Sequence, residues 1–313
     1  MIKKNSKIYI SGHNGLVGSS CLKVLKEEGY NNIIGKSSQE LDLTCHKRCN
    51  AFFKNEKPEV VINAAAKVGG ILANKENQYE FLIKNLKIQN NIIECALKYD
   101  VKKFIFLGSS CVYPKKSKLP IKETELLKGD LEQTNRSYAL AKITGIELCK
   151  NIRDKYDKDF ISLMPCNLYG PNDNYDLTNS HVIPALISKF QFAKIKGKQS
   201  VEIWGSGKPL REFMYAEDLA KAILKTLNFK LKNSLYNVGT GKEISISDLA
   251  HLIKKIVGFK GKVVFNLKKP DGTFRKVMNS SKFIKETGWN SETKLKDGIS
   301  KTYKRFIKLK LIN

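Results

Sequence analysis

A glycine-rich turn close to the N-terminus constrains the fold of this chain more than any other feature of the sequence. Residues 7–10 read as a short buried strand before it, and residues 22–28 continue as an amphipathic helix. Such a turn lets the backbone approach a pyrophosphate, with the helix N-terminus facing the negative charge. The spacing is GxxGxxG rather than GxGxxG, and the alternative interpretation is a plain glycine-rich loop. The turn consists of Gly12, His13, Asn14, Gly15, Leu16, Val17 and Gly18.

Apolar runs alternate with helical stretches through the first half of the chain. The runs at 33–34, 59–63 and 103–108 read as strands, and residues 79–97 read as a helix. This alternation is typical of βαβ units. We therefore predict an α/β fold: a Rossmann-type doubly wound parallel sheet with a smaller C-terminal substrate-binding lobe. Ligands of such sheets bind at the carboxyl ends of the strands, which places Gly12, Ala64 and Ser109 along one crevice.

Tyr138 and Lys142 form a YxxxK pair. On a helix, residues four apart lie on the same face, one turn apart. An ammonium beside a phenol favours the phenolate, so we expect a lowered pKa for Tyr138. A tyrosine activated in this way exchanges a proton near neutral pH. The alternative interpretation is one tyrosine and one lysine on a solvated helix face.

The strongly basic composition first raises the question of nucleic-acid binding. The chain has 56 lysines and arginines against 30 acidic residues, a formal net charge of +26. The lysines are spread along the whole chain, and no helix-turn-helix, zinc-finger or stacking-platform motif accompanies them. We interpret them as solvated surface charge, whose field would attract a polyanionic cofactor and a nucleotide sugar, and expect no nucleic-acid partner.

Cysteine usage and hydropathy predict a cytoplasmic protein without a metal. The seven cysteines are scattered without a CxxC pair, which suits a reducing compartment. Cys45, His46 and Cys49 come nearest to a metal cluster but lack a second pair of ligands. No stretch approaches the apolar length of a transmembrane helix, so we expect no membrane partner. The N-terminus passes straight into the first predicted strand, leaving no room for a signal peptide.

Several further stretches, taken together with the turn and the YxxxK pair, carry a resemblance to a known family. The chain resembles the extended short-chain dehydrogenase/reductase superfamily and, within it, the GDP-L-fucose synthase family of 3,5-epimerase-4-reductases. The Ser-Ser-Cys, Ser-His-Val-Ile-Pro and Lys-Pro-Asp-Gly-Thr elements are the most specific. The matching stretches are residues 12–18, 64–71, 107–114, 138–142, 164–184, 204–213, 237–241 and 269–276, in the order of the family.

The resemblance implies an NADP(H)-dependent oxidoreductase with epimerase activity. Its NAD-binding relatives place a carboxylate after the second strand, where this chain has Lys36 in a stretch without one. Lys36 could pair with a 2′-phosphate, although Asn14 and Ser38 stand where the family has arginines. Asp42 is expected at the adenine edge after the third strand, or else is a turn or cap aspartate. Besides the glycine-rich turn, the implied cofactor residues are Ala64, Leu107, Gly108, Ser109, Ser110, Lys142, Pro165, Cys166, Asn167, Leu168 and His181.

The resemblance also implies roles at the reacting sugar. Tyr138 would protonate the reduced ketone oxygen, while Lys142 tunes it and Ser109 binds the same oxygen. Cys111 lies two residues beyond Ser109, so on an extended strand end both side chains point the same way. Cys111 would then act as base and His181 as acid in the epimerisation, against the interpretations of a buried cysteine and a loop histidine. The implied contacts with the GDP-sugar are Lys189, Trp204, Arg211 and Asp271.

The order of the motifs predicts how the chain divides and how it assembles. Residues 1–170, with roughly 212–240, would form the NADP-binding domain, and residues 171–211 and 241–313 the substrate lobe. We also expect a homodimer. The small residues Ala141 and Gly145 would permit close packing, and Phe81, Ile88, Ile92 and Ala96 would form a stripe that pairs across a two-fold axis.

Three alternatives remain open from the sequence. The first is an enzyme for another nucleotide sugar. Cys111 and His181 argue against a 4-epimerase or a 4,6-dehydratase, but not against an enzyme for a related GDP-4-keto-sugar such as a 6-deoxy-heptose. The second is a non-catalytic dinucleotide-binding regulator, which could have lost the Ser, Tyr and Lys that remain here. The third is a basic nucleic-acid binder.

Overall fold

A central parallel sheet organises the first part of the chain in the computed structural model, which describes residues 2–176, 180–269 and 271–309. In chain order the described strands are β1 (Ile8–Ser11), β2 (Ile33–Ile34), β3 (Val60–Asn63), β4 (Lys103–Leu107), β5 (Asp159–Pro165), β6 (Asn167–Tyr169), β7 (Ser200–Trp204), β8 (Leu210–Tyr215), β9 (Leu235–Val238), β10 (Glu243–Ser245), β11 (Lys262–Asn266) and β12 (Arg275–Lys276).

Helices occur along the whole described chain, between and after the strands. They are α1 (Leu16–Glu27), α2 (His46–Glu56), α3 (Ile71–Glu76), α4 (Gln78–Lys98), α5 (Arg136–Tyr156), α6 (Val182–Ile195), α7 (Ala216–Asn228), α8 (Ile246–Val257), α9 (Ser281–Thr287) and α10 (Leu295–Lys308). Within the described ranges, no helix is long and apolar enough to cross a membrane.

The six-stranded sheet confirms the predicted Rossmann-type α/β fold. Its order is β2-β1-β3-β4-β5-β9, and every neighbouring pair is parallel. Strands β3, β4 and β5 are almost wholly buried, as expected when helices cover both faces of a parallel sheet. From β1 the chain passes to β2 on one side of β1, and it then crosses to β3 on the other side. This reversal opens the ligand crevice at the carboxyl ends of β1 and β3.

A second group of strands and helices follows the central sheet. Strand β8 pairs with β6, β10 and β12, and β7 pairs with β11. A second buried apolar cluster joins α6, α8 and α10, whereas Phe283 of α9 and Trp289 pack into the cluster around the parallel sheet. The predicted division at residues 170, 212 and 240 stays a prediction.

The side chains from which we expected a dimer interface lie inside the chain. Ala141 is fully buried, and a Cβ added to Gly145 would lie 2.8 Å from Cε1 of Phe106 on β4. On α4, the stripe of Phe81, Ile92 and Ala96 is buried in the chain, and Ile88 packs against the same core. The argument for dimerisation from these two stripes is therefore wrong, because they hold α4 and α5 on the sheet.

Gly145→Ala tests this packing because two effects on stability oppose each other. Alanine is favoured over glycine inside a helix by about 1 kcal/mol. Overpacking a filled core typically costs about 1–3 kcal/mol, and the ring of Phe106 is fully buried. We expect the clash to cost about 2–3 kcal/mol, the upper part of that range, so that thermal denaturation shows a net loss of about 1–2 kcal/mol. Asn151→Ala, on the exposed side of the same helix, is the control. A raised melting temperature for Gly145→Ala would contradict the packing.

Candidate active site

The glycine-rich turn joins β1 to α1 through very close backbone contacts. Gly12 has φ +72°, and a Cβ there would lie 2.9 Å from the backbone nitrogen of Ala65. A Cβ on Gly18 would lie 2.7 Å from the carbonyl carbon of Gly12. Both positions therefore require glycine, since any side chain would push the helix or the end of β3 away. Helix α1 begins at Leu16, six residues before the start that we predicted.

The N-terminus of α1 fits a dinucleotide pyrophosphate. Gly15 caps the helix through its backbone and is exposed, as is Asn14, while Leu16 and Val17 are half-buried. The first turn of α1 contains no acidic residue. The first backbone N–H groups of a helix have no partner within it, and the helix dipole adds positive charge at that end. These groups can bind an anion without a charged side chain.

The loop after β2 contains a carboxylate close to the cation that we expected to bind a phosphate. Lys36 forms an ion pair with Glu40, with Nζ and Oε1 3.6 Å apart. Glu40 Oε2 also accepts a hydrogen bond from the backbone N–H of Ser37 at 2.8 Å. Hydrogen bonds from the backbone and the side chain of Ser37 are the main cause of the lowered pKa of Glu40. His13 packs against Gly35 at the end of β2, and Ser38 is exposed.

Asp42 stabilises a turn by accepting hydrogen bonds from Thr44. Its Oδ1 accepts hydrogen bonds from the Thr44 backbone N–H at 2.9 Å and from the Thr44 hydroxyl at 2.7 Å, and these bonds lower its pKa. Asp42 lies between β2 and α2, ahead of β3. The expected position after the third strand is therefore wrong, and a contact with adenine stays a prediction.

The carboxyl ends of β3, β4 and β5 bring together most of the other predicted cofactor residues. Ala64 follows β3, and Ser11 Oγ donates to Asn63 Oδ1 at 2.9 Å, tying β1 to this strand end. Leu107 ends β4 and is followed by Gly108, Ser109 and Ser110. Pro165 ends β5, Cys166 is buried behind it, and Asn167 and Leu168 belong to β6. The strand ends from which the crevice was predicted therefore lie side by side, and the binding of a cofactor there stays a prediction.

Cys111 lies on a tight turn, not on an extended strand end. Residues Ser110–Val112 form a single 3-10 turn, and Ser109 Oγ accepts a hydrogen bond from the Cys111 backbone N–H at 3.3 Å. The alternation rule from which we aligned the two side chains therefore does not apply. Cys111 is half-buried, unlike most cysteines of the chain. Its sulfur accepts a hydrogen bond from the side-chain amide of Asn135 at 3.2 Å, a residue that the sequence analysis did not name.

Lys142 and Tyr138 lie on one face of α5, as predicted, but their pKa values differ from our expectation. Lys142 Nζ lies 5.8 Å from the centre of the Tyr138 ring and donates to the Leu107 carbonyl at 2.8 Å. Burial lowers the pKa of Lys142 to about 8. Burial, with a smaller effect of the nearby Cys111 charge, raises the pKa of Tyr138. The expected lowering of the Tyr138 pKa is therefore wrong for this structure, because desolvation outweighs the attraction of the ammonium.

His181 stands immediately before α6 and contributes to it through its backbone. Its carbonyl accepts a hydrogen bond from the Ala185 N–H at 3.0 Å, while its side chain is reached by solvent. The surrounding protein nevertheless displaces enough water to lower the pKa of the imidazole. Among the described residues, no hydrogen bond joins His181 to Cys111 or Tyr138.

The four predicted substrate residues form one cluster on the second group of strands. Trp204 ends β7 with 49% of its surface exposed, and Lys189 Nζ of α6 lies 5.6 Å from its ring centre. The Asp271 carboxylate accepts hydrogen bonds from the N–H and hydroxyl of Ser206 at 2.6 and 2.7 Å. Arg211 on β8 is held by the Leu210 carbonyl at 2.8 Å. Burial lowers the pKa of Arg211, and the charge of Asp271 partly offsets this effect.

Two residues at this cluster were missed by the sequence analysis. Lys269 Nζ lies 5.1 Å from the Trp204 ring centre and adds a second cation to the indole. Glu212, fully buried beside Arg211, accepts hydrogen bonds from the backbone N–H groups of Gly241 at 2.7 Å and Met278 at 2.8 Å. The available signal for Glu212 was a charged residue placed directly before the apolar residues Phe213 and Met214. The many other surface lysines concealed Lys269.

Comparison with known proteins agrees with this site. Residues 8–239 match the NAD dependent epimerase/dehydratase family. The chain belongs to this family. GDP-L-fucose synthase 1 of Arabidopsis thaliana is 48% identical over 308 residues, covering 98% of this chain and 95% of the relative. The resemblance read from the motifs is thereby confirmed.

Two solved structures share the architecture of this chain over almost its whole length. A GDP-6-OMe-4-keto-L-xylo-heptose reductase from Campylobacter jejuni is 39% identical, with a TM-score of 0.93 over 98% of this chain and 99% of that one. A GDP-mannoheptose C4 reductase from Campylobacter jejuni with NADP bound is 40% identical, with a TM-score of 0.89 over 98% and 100%.

The buried ammonium of Lys142 predicts a pH-dependent stability difference. Its pKa is 10.5 ordinarily and about 8 in the folded chain. Between these values the unfolded chain binds more protons, so the contribution of Lys142 to stability is highest above pH 10.5 and is lost as the pH falls to 8. Urea denaturation should therefore show the wild type gaining about 2 kcal/mol relative to Lys142→Met between pH 7 and pH 9.5.

The control for this measurement is Lys150→Met, which removes an exposed lysine of the same helix. It should leave the difference from the wild type equal at both pH values. A constant difference for Lys142→Met would mean that the ammonium is not desolvated in the folded chain.

Proposed function

We propose that this chain converts GDP-4-keto-6-deoxy-D-mannose to GDP-L-fucose, by 3,5-epimerisation and then NADPH-dependent reduction of the 4-ketone. The observation that carries the proposal is that the turn after β4 places Cys111 Sγ 3.2 Å from the amide of Asn135, at the start of the helix that carries Tyr138. A thiol suited to removing carbon-bound protons lies beside a phenol suited to protonating an oxygen. The 48% identity to the Arabidopsis GDP-L-fucose synthase supports the same substrate.

The epimerisation depends on the acidity of the sugar carbons next to the ketone. When a proton leaves C3 or C5, the electron pair moves to the ketone oxygen as an enolate. We propose that the Cys111 thiolate takes the proton on one face and that His181 returns one on the other. The lowered pKa of His181 makes its imidazolium a stronger acid but a minor species near pH 7. Ser109 and Tyr138 would donate hydrogen bonds to the enolate oxygen.

Reduction follows at the same oxygen. Bound NADPH supplies the hydride for the ketone carbon. Tyr138 gives the proton, and its raised pKa keeps the phenol protonated near neutral pH, as a general acid requires. Lys142, with a pKa of about 8, is mostly cationic at pH 7 and would stabilise the phenolate that remains. The Gly12–Gly18 turn and the ends of β3, β4 and β5 would hold the cofactor.

The GDP portion of the substrate suits the cluster around Trp204. The exposed indole offers a face for a base, the cations of Lys189 and Lys269 lie over it, and Arg211 lies within the electrostatic influence of Asp271. Lysine and arginine are the side chains that bind diphosphates most readily. Asp271 keeps Ser206 in place beside the ring.

A related GDP-4-keto-heptose is the second candidate substrate. The TM-score of 0.93 with the Campylobacter heptose reductase, which is 39% identical, favours it, whereas the 48% identity of the Arabidopsis GDP-L-fucose synthase 1 favours the 6-deoxyhexose. Comparing kcat/KM for the two GDP-4-keto-sugars decides between them.

The catalytic assignment predicts that two variants fail at different steps. Purified protein with GDP-4-keto-6-deoxymannose and NADPH in deuterated water should yield GDP-L-fucose, identified by NMR. Cys111→Ser should keep its fold and cofactor binding but lose exchange at C3 and C5 by at least about 100-fold. Tyr138→Phe should lose ketone reduction most severely. Cys45→Ser is the matched control. Wild-type exchange at both carbons in Cys111→Ser would refute the role of Cys111.

The cofactor preference should depend on the Lys36–Glu40 pair. We propose a preference for NADPH, with Lys36 binding the 2′-phosphate and Glu40 weakening that contact. Lys36→Ala should lower the ratio of kcat/KM for NADPH over NADH about threefold to tenfold, and Glu40→Gln should raise it, since charged contacts of this kind contribute about 1 kcal/mol. Lys47→Ala, on the exposed start of α2, should change nothing. A higher kcat/KM with NADH for the wild type would overturn the preference.

We also propose a cytoplasmic homodimer. The seven free cysteines suit a reducing compartment. Helices α4 and α5 pack side by side and expose Tyr79 and Leu140 on their outer faces, apolar surface that a second copy would cover. Light scattering at micromolar concentration should give twice the 35.4 kDa of one chain, and Leu140→Lys should shift the mass toward one chain. A wild-type mass of one chain would refute the dimer.

A further inference from the structure

Asn135 stands at the N-cap position of α5 but does not cap the helix with its side chain. An asparagine at this position usually accepts a hydrogen bond from a backbone N–H in the first helical turn. Here its Oδ1 is buried without a hydrogen-bond partner among the described residues. Its Nδ2 instead donates to Cys111 Sγ at 3.2 Å. The sulfur, rather than the helix, therefore orients this amide.

We propose that Asn135 is a positioning residue for the epimerisation, whose amide N–H favours the thiolate form of Cys111 and holds the sulfur beside Tyr138. The inference rests on the proposed function, in which Cys111 is the base. A hydrogen-bond donor stabilises an anionic sulfur more than a neutral one, since bonds to charged groups are the stronger ones. An amide has no proton to lose near neutral pH, so it supports the base without competing for the proton of the substrate.

The surroundings of Cys111 fit this role. The charge of Cys111 contributes to the raised pKa of Tyr138, and Ser109 Oγ accepts a hydrogen bond from the Cys111 backbone N–H. A negative charge on the sulfur disfavours a second negative charge on Tyr138, so the phenol keeps the proton that the later reduction requires. When the carbon-bound proton moves to sulfur, the electron pair passes to the ketone oxygen and His181 returns a proton to carbon. Asn135 thus acts most strongly before the proton transfer.

Removing Asn135 would have a different effect if the residue only stabilised the fold than if it stabilised the Cys111 thiolate. Because its side chain makes no capping hydrogen bond, its removal should affect helix stability little. The effect of a structural residue would also be independent of pH. If Asn135 stabilises the thiolate, its loss is compensated at alkaline pH, where Cys111 ionises without help.

The first test measures alkylation of Cys111 by iodoacetamide from pH 6 to pH 10, read for each peptide by mass spectrometry. The half-buried Cys45 in the same sample is the internal control. We expect the pH midpoint for Cys111 to rise by about one unit in Asn135→Ala and further in Asn135→Asp, whose carboxylate repels the thiolate. Asn151→Ala, exposed on the same helix, should match the wild type. An unchanged midpoint in Asn135→Ala, or a lower one in Asn135→Asp, overturns the proposal.

The second test measures exchange of the sugar C–H protons in deuterated water at pH 7 and pH 9. Asn135→Ala should exchange about tenfold more slowly at pH 7, corresponding to about one pH unit, and should recover most of the loss at pH 9. A loss that is equal at both pH values overturns the proposal. If the alanine variant does not fold, Asn135→Ser is measured in its place.

The two tests separate this inference from the proposed function. Alkylation depends on neither substrate nor cofactor, so it reports on the contact between Asn135 and Cys111 even if the substrate is another keto-sugar. A wild type that makes no GDP-L-fucose contradicts the proposed function alone. A wild type that makes it, with normal exchange and alkylation in Asn135→Ala, contradicts the role of Asn135 alone.

Discussion

The hydrogen bond from Lys142 to the Leu107 carbonyl joins α5 to the carboxyl end of β4, and the whole candidate site depends on this contact. Strand β4 leads into the turn with Ser109 and Cys111, whereas α5 carries Tyr138. One helix turn further along α5, the absence of a side chain at Gly145 lets the helix lie on the ring of Phe106. Cys111 and Tyr138 are therefore brought together by helix-on-sheet packing.

That packing has an electrostatic consequence. Burying α5 against the sheet removes water from Tyr138 and Lys142, which raises the pKa of the phenol and lowers that of the amine to about 8. Desolvation thus disfavours both the Tyr138 phenolate and the Lys142 ammonium, while the attraction between these two opposite charges would favour them. A site built in this way holds a protonated phenol next to a cation that is ready to stabilise its conjugate base. Such a pair suits proton donation to a newly formed alkoxide better than an exposed tyrosine does.

The sequence was sufficient where local geometry follows from residue type. Gly12 and Gly18 are explained by backbone contacts that exclude a Cβ, and the spacing of Tyr138 and Lys142 by the helical repeat. Prediction from the sequence failed where the geometry depends on contacts between several segments of the chain. The turn at Cys111 follows from contacts that a strand pattern does not contain, and the Asn135 amide bonds a sulfur 24 positions away along the chain. The stripes on α4 and α5 misled us because apolar residues on a helix face indicate burial without indicating against what.

The pairing of β6 with β8 connects residues that we expect at the cofactor with residues that we expect at the substrate. Asn167, among the residues expected at the cofactor, pairs in register with Phe213 of β8, and its amide donates to the Glu212 carbonyl at 2.8 Å. The neighbouring residue on β8 is Arg211, and the buried Glu212 carboxylate fixes the same strand to the backbone at Gly241 and Met278. Because a strand is nearly inextensible, a shift of β8 at Arg211 would move β6, which follows the end of β5 by one residue. Strand β8 therefore joins Arg211, which we propose to contact the GDP-sugar, to Asn167, which we propose to contact the cofactor, so under that proposal a remote GDP group contributes to the alignment of the reacting carbon.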